Sequence, residues 1–217
     1  MATFADLKTD VINLINRTDC TDTLAGTFVN QAVRNIARTL RIPSLESKYT
    51  AIVGTSAQTV FNTTTQELSI PGDFLETVYL YTDDRILQRV PLRQFIELTG
   101  SVPSSGKPRY YTRIQNNFVV KPAPDAGTII NLIYHSDPAV LTTNTGTNVL
   151  SIIAPDLVVY GALLYACDYF NDQRKEEFGK TYAGIYQAVE DLNNSTDMAT
   201  SDSAIQPSFS YEPDLFN

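Results

Sequence analysis

The chain has 217 residues, 43% of them hydrophobic, with 16 basic and 24 acidic side chains for a net charge of −8. That is enough apolar matter for one cored domain, or one domain carrying a large insertion, and no apolar run reaches the ~18 residues a membrane span needs. The first 154 residues hold 13 basic and 13 acidic groups while residues 155–217 hold 3 and 11, so the whole excess is C-terminal. Such a surface repels phosphate and argues against a conventional DNA-binding protein.

The opening segment lacks the basic-then-apolar pattern of a signal peptide, so secretion by that route is not expected. Cys20 and Cys167 stand alone without CxxC spacing, which argues against a disulfide framework or a zinc site. Thr3 followed by Asp6 resembles a capping box. Phe4, Leu7, Val11 and Leu14 then step at helical spacing, predicting a first helix to about Arg17. Residues 18–26 read as a polar turn. A second helix is expected from about Thr27 to Arg41, burying Val29, Val33, Ile36 and Leu40. Arg34, Arg38 and Arg41 line another face of it, either as a solvated surface or as a basic stripe meeting acidic groups of a neighbouring subunit.

After Pro43 the pattern turns to short β segments. Strands are expected at residues 49–53 and 58–61 and ending at Ile70, and a hairpin at 77–81 and 86–90 through Asp83 and Asp84. That Asp pair reads as a hairpin tip more readily than as a cation site. Pro91 opens a short helix closed by Gly100, and a second hairpin joins residues 110–114 to 118–121. Residues 128–136, β-branched and apolar, predict the central strand of an antiparallel sheet. The Thr-, Asn- and Gly-rich residues 138–154 read as a mobile connector. From Pro155 two long helices follow, broken at Asn171 and Asp172; the second carries one apolar stripe, Phe178, Tyr182, Ile185, Val189 and Leu192.

The expected fold is therefore α+β. Residues 1–42 and 155–195 would form a helical bundle, residues 43–137 an inserted antiparallel β region, and residues 196–217 an extended C-terminal tail. The early part of that tail reads as disordered. Its end holds Phe209, Tyr211, Leu215 and Phe216 around Pro207 and Pro213, a segment suited to docking on a partner or neighbouring subunit. Burying four such side chains does not by itself offset ordering ten residues, so docking needs added strand hydrogen bonds or many copies at once.

Signatures of chemistry are missing: there is no GxSxG, P-loop, GxGxxG or HExxH, and the single histidine, His135, falls in a predicted strand. The twelve tyrosines are scattered rather than grouped for base stacking. No catalytic, cofactor or metal residue is singled out. A small cell-wall hydrolase using two carboxylates is the remote alternative.

The strings Leu68-x-Ile70-Pro71-x-Asp73-Phe74-Leu75, Gly106-x-Pro108-x-Tyr110, Phe118-x-Val120-x-Pro122-x-Pro124 and Pro155-x-Leu157-x-x-Tyr160, in this order over residues 1–195, resemble phage head-to-tail connector (adaptor) proteins. The resemblance implies a non-enzymatic virion protein of the neck, forming a ring of about twelve copies between the portal protein and a tail nozzle or tail tube protein. Genome DNA would pass through its channel without sequence-specific binding, and no cofactor or membrane is implied. Residues 196–217 would grip the portal or a neighbouring subunit. A tail-completion or tail terminator protein is the related alternative.

Overall fold

The computed structural model describes residues 1–54, 61–62, 66–98 and 105–200, with side chains to Leu192. The expected strand at 58–61 and the helix stop at Gly100 fall mainly outside these residues, as does the whole aromatic segment 207–216. The architecture is α+β, with N- and C-terminal helices around one core and two sheets around a second.

Helix α1 spans Phe4–Ile15 and starts with the expected box: Asp6 N–H donates to Thr3 Oγ1 at 3.3 Å and Thr3 N–H donates to Asp6 Oδ2 at 2.9 Å. Its buried line is Phe4, Leu7, Val11 and Ile15; Leu14 is 40% exposed, so the stripe drifts one residue in the last turn. Helix α2, Asp22–Thr39, begins inside the stretch read as a turn. Thr21 caps it, accepting from Leu24 N–H, and Gly26 sits where a side chain would meet the Phe4 ring. Thr, Asp and Gly lower helix propensity, but here they cap the end and permit a close crossing. Val29, Val33, Ile36 and Leu40 are buried as expected.

Helix α5, Pro155–Phe170, is apolar nearly all round because α1, α2 and the helix that follows it, α6 (Lys175–Thr200), all pack against it. Gly161 is the tightest point: a Cβ there would lie 3.2 Å from both Ala32 Cβ and Tyr182 Cε2. Asn171, left-handed at φ 53°, ends α5, and the chain reverses into α6, Lys175–Thr200. At 1.5 Å per residue α6 is about 39 Å long against about 24 Å for α5, so its last turns extend past the start of α5. It also continues beyond the boundary expected at residue 195.

The segment read as a mobile connector is tied to the bundle. Asn30 brackets Leu141, donating to its carbonyl and accepting from its N–H, both at 3.0 Å. A short helix α4, Val149–Ile153, opens with a box between Asn148 and Ser151 and buries Leu150. The polar residues that suggested mobility are used as caps and brackets.

One sheet has the order β1-β9-β4-β5, from Glu46–Ile52, Ile129–Ser136, Phe74–Thr82 and Arg85–Ile86. Strand β9 is central, as its composition predicts. The other runs β2-β3-β8-β7-β6, from Phe61–Asn62, Glu67–Ser69, Asn117–Lys121, Tyr110–Ile114 and Gln88–Arg89. Between β6 and β7 lies the short helix α3, Leu92–Glu97. Named strands pair antiparallel except β6 with β7. The hairpin expected to reach residue 90 pairs Tyr81 with Ile86 and Thr82 with Arg85, and Leu87 N–H still donates to Leu80 O at 2.8 Å. Leu87 then turns into the sheet core, 3% exposed, and carries the chain to the other sheet.

Candidate subunit interface

An interface is built from what a bundle leaves uncovered. Helix α6 has no fully buried residue through Leu192; Phe178, Tyr182, Ile185 and Val189 lie half-buried on α5. Tyr160 meets Phe178 with ring centroids 6.2 Å apart. Two grooves open along α5, one where it meets α2 and α6 and one where it meets α1.

The groove between α2 and α6 has Ala32, Asn35, Gly161 and Tyr182 in its walls, with Asp168 and Lys175 ion-paired at its mouth. The groove beside α1, about 470 Å³, is floored by Pro155, Val159 and Tyr160 and flanked by Leu14. Asp10 and Asp156 stand on its rim, both exposed. Asp156 accepts from the N–H of Leu157 at 2.9 Å, where a carboxylate suits the positive end of α5.

The three arginines grouped by sequence separate in space. Arg34 and Arg38 point outward from α2 and are exposed, and neither forms a salt bridge among the described residues. Arg41 lies beyond the helix. Leu40 is extended at φ −83°, ψ 129°, and Arg41 Nε donates to Glu76 Oε2 at 2.9 Å, joining bundle to sheet within one chain.

The acidic C-terminal region is partly neutralised from within. Arg174, Lys175 and Lys180, its three cations, pair with Asp172, Asp168 and Glu176. Arg174 also donates to the carbonyls of Leu14 and Ile15, clamping the end of α1 to the α5–α6 turn. Hydrogen bonds from its guanidinium, then from its backbone N–H, hold the Asp172 carboxyl down to about 2.

Elsewhere the chemistry is sparse. His135 Nδ1 is buried without a hydrogen-bond partner among the described residues, and burial, then the nearby Arg41 charge, pushes its pKa down. At the Asp83–Asp84 tip, Lys107 reaches Asp84 at 2.6 Å. Among the described residues no group of three or more His, Cys, Asp or Glu could hold a metal ion, and no helix is long and apolar enough to cross a membrane.

The rim carboxylates and the groove beneath them were not singled out by sequence reading. Sequence carries no signal for them: Leu14 steps at the buried spacing, and only the drift of the stripe to Ile15 in the last turn of α1 leaves it exposed at the groove edge. A family model described as SU10 adaptor protein matches residues 2–207. Among curated proteins, none matches the chain.

Proposed function

The chain belongs to the SU10 adaptor protein family, a phage structural family, and from that premise we propose that copies of it close into a neck ring joining portal to tail. The ring has twelve copies and a central channel for genome DNA. The match over residues 2–207 carries this reading, since it spans bundle and sheets together.

The physics of the chain is compatible with that task. The charge of −8 in residues 155–217 suits a wall along which DNA slides without adhering. A bundle with uncovered grooves on two sides of α5 suits lateral packing between identical neighbours. In this reading Pro207, Phe209, Tyr211, Pro213, Leu215 and Phe216 form the grip on the portal or on an adjacent subunit. Such a grip is weak per copy and strong when repeated around an axis.

Native mass measurement and electron microscopy of the purified chain, alone and mixed with the portal of its own phage, test the proposal. Rings that cap the portal are expected. A chain that stays monomeric and passes the portal by overturns it.

A further inference from the structure

A ring built by one repeated contact needs two different patches, one on each flank, that fit one another. Two such patches are visible. The exposed face of α2 carries Arg34 and Arg38 one helical turn apart, and residues 23–45 contain no carboxylate. The groove between α1 and α5 has an apolar floor, Val159 and Tyr160, beneath Asp10 and Asp156, neither of which forms a salt bridge among the described residues. α2 does not line this groove; it borders the other one, so ridge and groove lie on different flanks of the bundle.

Resting on the ring reading above, we propose that the α2 ridge of one copy seats in the α1–α5 groove of the next, with Arg34 and Arg38 meeting Asp10 and Asp156. The fit has two parts. Arginine stems are aliphatic and can lie along the apolar floor while their guanidinium forks reach the rim carboxylates. Tyr160, half-buried in that floor, adds an aromatic side chain against which a guanidinium can pack. The contact is heterologous, so repeating it generates a ring or a helix rather than a closed dimer. The chain's own tail is a poorer occupant, because residues 196–217 carry four carboxylates and no cation and would meet Asp10 and Asp156 with like charge.

The test uses the full chain and three charge reversals: Arg34→Glu with Arg38→Glu, Asp10→Arg with Asp156→Arg, and all four together. Sedimentation velocity reads the assembly state, and circular dichroism checks that each variant is folded. Wild-type rings, monomers from each double variant and recovered rings from the quadruple variant are the expected set. Assembly should also weaken as salt rises, since rim charges are screened. If wild type forms rings and the double variants do too, the pairing is wrong while the ring reading stands. If both doubles dissociate and the quadruple does not recover, the pairing is equally overturned. If wild type forms no ring with or without portal, the ring reading fails first and this contact with it.

Discussion

Arg174 Nη2 donates to Ile15 O at 2.7 Å, so a residue of the α5–α6 turn closes the last turn of α1, 159 positions away in sequence. Its partner Asp172 orients the fork by accepting from Nη2 at 2.7 Å and Nε at 3.1 Å. Replacing Arg174 by alanine leaves two α1 carbonyls to solvent and releases the turn. A loss of about 1 kcal/mol is expected, the low end for charge-assisted bonds because the site is partly exposed. Arg174→Lys should recover little, since a point charge lacks the fork. Acid should act at the same place. Asp172 has a folded pKa near 2, depressed from 3.8, so its contribution is present above pH 4 and fades as pH falls toward 2. Urea midpoints across that window should slope less in the alanine variant than in wild type; equal slopes would remove the clamp from the account.

Gly161 fixes how closely three helices meet. In Gly161→Ala the new methyl presses on Ala32 Cβ, held by α2, and on Tyr182 Cε2, which can swing. The helix-propensity gain of about 1 kcal/mol opposes that crowding, so the alanine variant should stay within about 1 kcal/mol of wild type. Gly161→Val adds branches with nowhere to go and should lose about 1–3 kcal/mol in chemical denaturation. A valine variant as stable as wild type would mean the crossing is looser than its geometry indicates.

Among the described residues, Lys8 is the one cation inside the helical core, 4% exposed. Its ammonium reaches Asp22 and Asn144 Oδ1 and lies 4.9 Å from the Phe4 ring centroid. Asp22 is itself 70% exposed, so removing the charge leaves that carboxylate in water. Lys8→Met should therefore cost no more than about 1 kcal/mol, because Asp22 and the exposed Asn144 exchange the ammonium for water and the methionine stem keeps the packing. Lys8→Glu buries a charge beside a like charge and should cost about 3–5 kcal/mol. Thermal unfolding of the two variants separates these outcomes; equal effects would contradict the burial of the ammonium.

Much of this core was legible because its physics is periodic. Val29, Val33, Ile36 and Leu40 follow the helical repeat and are buried. The Pro155 start and the Asn171 break of the α5–α6 hairpin follow from ring constraint and left-handed tolerance. What was not legible depends on partners distant in sequence. Arg34, Arg38 and Arg41 look alike in spacing, yet Arg41 lies past the helix end and is taken by Glu76. Leu87 looks like the middle of a hairpin strand, and only the second sheet explains why it turns inward. The α1–α5 groove has no sequence signature, because its rim comes from Asp10 and Asp156, 146 positions apart.

His135 predicts how the sheet responds to mild acid. Across the ladder it faces Glu46 and Glu76, which raise its pKa, while burial and Arg41 lower it, and the lowering dominates. With a folded pKa below the unfolded 6.5, the unfolded chain binds the proton first. Stability is then unaffected above pH 7 and falls as pH drops through 6.5 toward the folded value. His135→Gln should flatten that slope in urea midpoints taken from pH 8 to 5. A slope unchanged by the substitution would assign the acid response to the carboxylates instead.

Truncation after Thr200 separates folding from attachment. Among the described residues, both buried clusters and every partly buried residue packed against them lie at or before Val189, so the shortened chain should keep the wild-type denaturation midpoint within about 0.5 kcal/mol. It should also keep its self-association, if lateral contacts are made by the bundle. What it should lose is binding to the portal, measured by co-sedimentation with portal rings. Six substitutions at Pro207, Phe209, Tyr211, Pro213, Leu215 and Phe216 to serine should reproduce that loss in the full-length chain, because an anchor of this kind works by apolar burial and restricted backbone. If truncation lowers the midpoint instead, residues 201–217 complete the bundle core. If portal binding survives both variants, the grip belongs to the described body of the protein.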